Sequence, residues 1–156
     1  MQPGNRRTVT PGWLWPIALA MLTACSGGGA LSSNTLTASL NGAQEIPPNA
    51  SAATANGMAT VDMATQVLTA TVTSTGMAGT AAHIHNGAPG TNGPVVFPLT
   101  ETPAGSGRWS TTVTLSGEEL HLLQSGNYYF NIHSLIFPNG EIRGQIMARQ
   151  PTRGGY

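Results

Sequence analysis

The nine residues Gln66 to Ser74 read "QVLTATVTS", and their alternation decides the fold class. Leu68, Ala70 and Val72 share one parity, while Thr69, Thr71 and Thr73 share the other. Successive side chains of a strand point to opposite faces, so this segment buries an aliphatic row and wets a threonine row.

The same signature extends outward in both directions. Upstream lie "NTLTASL" (34–40) and "GMATVDM" (57–63); downstream lie "TAAHIH" (80–85), "PVVFPL" (94–99), "RWSTTVTL" (108–115), "NYYFNIHS" (127–134) and "GEIRGQIMA" (140–148). Turn residues recur every ten or so positions between them, the mark of many short antiparallel strands. The single helix signal is "SGEELHLLQSG", Ser116 to Gly126. Ser116 caps it, Glu118 and Glu119 suit its positive start, and Gly126 ends it. His121, on its wet side, belongs to no site. The expected fold is all-β, an antiparallel β-sandwich with one short connector helix.

Period two also orients the polar residues. Ile84 seeks the core, which sends His83 and His85 to the opposite face. Tyr128, Phe130 and Ile132 form an apolar row, so Tyr129, Asn131 and His133 face away from it. Ile142 and Ile146 point inward, leaving Glu141, Arg143 and Gln145 outward. The "LIFPNG" turn makes the last two strands hairpin partners. If the "HIH" strand also adjoins the "NIH" strand, His83, His85 and His133 can converge on one ion, each nitrogen ~2.0 Å from it. Three neutral imidazoles suit copper or zinc, and copper(II) binds a given nitrogen site more tightly. Glu141, Asn131 or Tyr129 would then accept the second ring N–H of a ligand and fix its tautomer. The competing reading is a polar sheet face whose histidines only tolerate solvent. The sequence leaves both open.

The first 24 residues read as an export signal: Arg6 and Arg7 precede the short apolar run "WLWPIALAMLTA". The run closes on "LTAC", which resembles the lipobox of bacterial lipoproteins. That resemblance implies cleavage before Cys25, the only cysteine, and lipidation of its thiol and new amino end. Several acyl chains hold a protein on a membrane far more firmly than one. Residues 25–34, "CSGGGALSSN", form a flexible tether, residues 35–150 the folded domain, and 151–156 a short tail. Ser26 after the cysteine implies, by the same resemblance, the outer membrane on its periplasmic or surface side.

The 132 residues from Cys25 onward carry four arginines, no lysine and six carboxylates, a net charge of −2 with histidine neutral. No basic patch grips phosphate, so nucleic acid is not an expected partner. A lone cysteine allows no internal disulfide, so burial and backbone pairing must carry stability.

Four ordered segments resemble the chordin-domain (CHRD) family: "LNGAQEIPPN" from Leu40, "ATANGMATVDM", "TAAHIHNGAPGTNGPVVFPL", and "LLQSGNYYFNIHSLIFPNGEIRGQI". The resemblance implies an immunoglobulin-like β-sandwich and marks Glu45, His83, His85, His133, Glu141 and Arg143 as family positions. Glu141 and Arg143 are expected to pair with each other or with Glu45 in a structural role. Ser134 stands where the family has Thr, and Phe137 where small residues are common. A looser likeness links "HIH" to copper/zinc superoxide dismutase, but that family's disulfide and zinc ligands have no counterpart here. The sequence therefore points to a lipid-anchored cell-envelope binding module with an unidentified protein or surface ligand. A copper or zinc site in that module is compatible with it, and a metal-dependent redox enzyme is the alternative.

Overall fold

The structure is a computed structural model that describes residues 33–148; the export signal, Cys25, most of the tether and the tail lie outside them. Nine strands follow in order: β1 (Ser33–Asn41), β2 (Thr54–Asp62), β3 (Val67–Thr75), β4 (Gly79–Asn86), β5 (Val95–Glu101), β6 (Arg108–Thr114), β7 (Tyr128–Ser134), β8 (Ile142–Gln145) and β9 (Met147–Ala148). Helix α1 (Gly117–Gln124) joins β6 to β7. The strands match the alternating segments, with the last one divided at Ile146. β1 begins at Ser33, so Asn34, expected at the end of the tether, already pairs with Val61.

Every pairing is antiparallel, and neighbours run β2–β3–β6–β5–β4–β7–β8–β1, with β1 also bonded to β2. The long ladders are β1–β2 and β2–β3, each nine residues deep. Pairing is sparse at two seams. β5 meets β6 only at Thr100–Ser110 and Glu101–Trp109, and β1 meets β8 only at Asn41–Arg143.

The core follows from period two. Leu36 and Leu40 from β1, Val61 from β2, Leu68 and Val72 from β3, and Ile84 from β4 all lie inside with Phe130, Ile132 and Ile142. Small residues on β2 make room for the large ones on β7: a Cβ at Gly57 would sit 2.7 Å from the Phe130 ring. Helix α1 closes the interior with Leu120 and Leu123. Its start carries the expected cap, with Glu119 N–H donating to Ser116 Oγ and Ser116 N–H to the Glu119 carboxylate.

One expectation fails on β7. Its second face is not wet: Tyr129 and Asn131 are as buried as Tyr128 and Phe130, and Glu141 and Arg143 are buried beside them. Two crossing segments, 42–49 and 87–94, cover that face. Asn49 Nδ2 donates to the Glu141 carbonyl, and Asn92 Nδ2 donates to the Ile46 carbonyl, tying one cover to the other. Gln145 Nε2 holds the Gly87 and Gly126 carbonyls. These long-range contacts convert an apparent surface into a second, polar interior.

Candidate metal centre

β4 lies beside β7, and the register decides which side chains meet. His85 pairs with Tyr129, His83 with Asn131, and Ala81 with His133. His133 therefore sits diagonally from His83 on the same face, within reach across neighbouring strands. The ring centroids are 5.1 Å apart for His83–His133, 5.7 Å for His83–His85 and 6.3 Å for His85–His133. One ring nitrogen from each lies within 4.8 Å of the other two.

The backbone presets two of the tautomers. His85 Nδ1 lies 2.9 Å from the Gly93 carbonyl and His133 Nδ1 lies 3.0 Å from the Pro138 carbonyl. A carbonyl only accepts, so each Nδ1 carries the proton and each Nε2 presents a lone pair. His85 Nε2 is shielded from solvent and has no hydrogen-bond partner among the described residues. His83 Nδ1 stands 3.2 Å from His133 Nε2 and donates to it in the neutral, metal-free arrangement. That separation is close to the ~3.3 Å edge between two nitrogens bound ~2.0 Å from a tetrahedral ion. An ion there needs His83 in its other tautomer, with its proton on Nε2, and a modest ring movement to draw in the widest pair.

Charge favours the neutral ligand forms. Burial, then the neighbouring His133 and His85, holds His83 below the ordinary imidazole value. Burial dominates at His85 as well; the Gly93 hydrogen bond opposes it, and the charges of His133 and Arg143 add to it. Tyr129 stacks on His85 with centroids 4.9 Å apart and planes 13° from parallel, and the Arg143 guanidinium lies 3.5 Å from the Tyr129 ring centre. The Tyr129 hydroxyl accepts from Gly93 N–H at 3.2 Å, so the ring that packs on His85 also steadies its hydrogen-bond partner.

The surrounding polar residues take other roles than expected. Glu141, Asn131 and Tyr129 do not accept the ring N–H groups; the Gly93 and Pro138 carbonyls do, because the 87–94 segment and the β7–β8 turn bring backbone to the rings. Glu141 and Arg143 do not pair with each other. Glu141 accepts from Ser51 Oγ at 2.6 Å, while Arg143 donates to the Thr91 carbonyl, Asn92 Oδ1 and Gln145 Oε1. Glu141 precedes β8 and Arg143 lies within it, and Ser51 and the 87–94 segment offer each a nearer partner. Glu45 accepts from Asn131 Nδ2 at 3.0 and 3.2 Å, and burial raises its pKa to about 7 despite that bond and the charge of Arg143. Gly93 and Pro138 escaped a reading based on side chains, although the Asn92-Gly93 and Pro138-Asn139-Gly140 turns marked where backbone would bend back toward the sheet.

The CHRD domain family model matches residues 36–146. No curated protein matches the chain, and no solved structure does. The match runs from within β1 to the end of β8 and includes each of the three histidines, and the chain belongs to the CHRD domain family.

Proposed function

We propose that this chain is a lipid-anchored binding module of the bacterial cell envelope that holds one copper ion, or zinc in its place, through His83, His85 and His133. The observation that carries the metal reading is the convergence of three imidazole nitrogens within 4.8 Å, two of them with lone pairs preset by backbone carbonyls. A site of neutral imidazoles ranks copper(II) above zinc. Cys25 supplies the anchor, and the Gly/Ser-rich stretch after it gives the domain its reach from the outer membrane. The ring of strands is read as a flattened, immunoglobulin-like sandwich. The two sparse seams support this, dividing β1–β2–β3–β6 from β5–β4–β7–β8.

Three protein ligands leave a coordination position free, and His83 and His133 are only half-buried. That opening favours, as a second reading, a redox enzyme distantly like copper/zinc superoxide dismutase. Calorimetric titration of the Cys25→Ser chain with copper and with zinc, beside His83→Ala/His85→Ala, tests the metal reading. Binding tighter than micromolar that the double variant loses supports it; equal binding by both chains removes it. Superoxide consumption by the copper-loaded chain separates the second reading from the first.

A further inference from the structure

The turn between β7 and β8 carries the most exposed large apolar side chains among the described residues. Leu135 is 89% exposed and Ile136 81%, side by side. The turn stands as a ridge between two clefts, and Ile136 lines both. One cleft, about 230 Å³, opens toward Ile46 and Pro48 and has Glu45 in its wall. The other, about 350 Å³, opens toward Gly76–Ala78 and has Glu141 in its wall.

Each carboxylate is only 6% exposed, and each is met by neutral donors: Asn131 Nδ2 at Glu45, Ser51 Oγ at Glu141. Arg143 acts on Glu45 from beyond hydrogen-bond range. Burial raises the pKa of Glu45 to about 7, and a cation brought to the cleft wall would favour its charged form. An apolar ridge flanked by two such carboxylates is therefore complementary to an apolar surface that carries a cation on either side.

The strand registers locate the ridge. Ser33 pairs with Asp62 at one end of the sheet, while Asn41 pairs with Thr54, Thr54 with Thr75, and Gly79 with Ser134 at the other. The chain enters at Ser33 and runs out past Ala148, which pairs with Leu36. Ser33 and Ala148, the two ends of the described residues, thus both lie away from the ridge. Anionic lipid headgroups would also meet the two carboxylates unfavourably.

We infer that Leu135 and Ile136 form the anchor of a docking surface for a basic protein, whose Lys or Arg side chains reach Glu45 and Glu141 on either side. This deepens the reading of the chain as a binding module by naming the chemistry of its partner, and it requires no metal. Matched charge around an apolar anchor fixes register and suppresses wrong partners.

The test is a titration of the ¹⁵N-labelled Cys25→Ser chain, with chelator present, with a capped synthetic hexapeptide of two leucines flanked by arginines. A second peptide carries glutamates in place of the arginines. The expected result is saturable shifts at the amides of residues 134–140, 46–49 and 76–78 with the arginine peptide alone. Leu135→Ser/Ile136→Ser, which changes only exposed side chains, should weaken that binding about tenfold with the rest of the spectrum unchanged. Glu45→Gln/Glu141→Gln should weaken it as well. No saturation at millimolar peptide, equal response to the glutamate peptide, or shifts confined to other surfaces would overturn the inference. So would ridge shifts that grow with protein concentration alone, marking a second copy, or ridge shifts with anionic vesicles but not with peptide. Loss of metal binding in the histidine variants leaves these outcomes unaltered, so the two readings fail separately.

Discussion

Tyr129 lies flat against His85, with ring centroids 4.9 Å apart, while its hydroxyl accepts the N–H of the residue that fixes that histidine's tautomer. The two contacts separate by substitution. Tyr129→Phe keeps the stack and loses the hydroxyl bond, and its metal affinity should change less than about threefold. Tyr129→Leu loses the stack as well, and a drop of about tenfold or more is expected, in the range found for groups that orient metal ligands. Competitive titration against a chromophoric chelator measures both.

Metal affinity should also depend on acidity in a defined way. Protons compete for the ligand nitrogens, so affinity falls as pH falls. His83 and His85 are held below the ordinary imidazole value of 6.5, chiefly by burial, so their neutral forms persist further into acid. At a fixed metal concentration, affinity should therefore fall less between pH ~7 and pH ~6.5 than it does for a solvent-exposed three-histidine peptide. An equal or steeper fall would contradict the burial seen here.

Glu45 gives a separate stability signal. Its pKa rises from 4.5 to about 7 on folding, so between those values the folded chain binds more protons than the unfolded one. Stability conferred by the protonated form is therefore present in acid and lost as pH rises toward 7. Glu45→Gln should match the parent near pH ~3.5, where the group is neutral both folded and unfolded, and exceed it by about 1–2 kcal/mol near pH ~8, allowing for solvent screening of a carboxyl at a cleft wall. Urea denaturation at the two pH values measures the difference. A variant less stable than the parent at the higher pH would show that the ionised group is favourably paired.

Gly57 tests the packing beneath the site. A Cβ there would meet the Phe130 ring at 2.7 Å, and Phe130 separates Tyr129 from Asn131 on β7. Gly57→Ala should cost about 1–3 kcal/mol as an overpacked core. Thermal melting gives the value, and an unchanged melting temperature would mean that the β2–β7 contact yields freely.

Much of this architecture was legible in local sequence, because strand periodicity is a local property. Leu68, Ala70 and Val72 announce their inward face without reference to any other strand, and Ser116 with Glu119 announces the helix start. The shared face of His83, His85 and His133 was legible for the same reason. Their convergence required β4 to adjoin β7, a non-local pairing that the residues of either strand do not specify. The expectation of a wet face on β7 failed for a related reason. Asn49, Asn92 and Arg143 pin distant loops across it, and such cover leaves no periodic trace. Backbone carbonyls were invisible as partners, so the tautomers of His85 and His133 were assigned to side chains that in fact serve the loops.

The central claim is that three imidazoles bind one ion. X-ray absorption at the copper edge of the copper-loaded Cys25→Ser chain counts them through the multiple scattering of their rings. Three imidazole nitrogens at ~2.0 Å, falling to two in His133→Ala, is the predicted result. A first shell with one imidazole or none, or a shell unchanged by that substitution, would contradict the account.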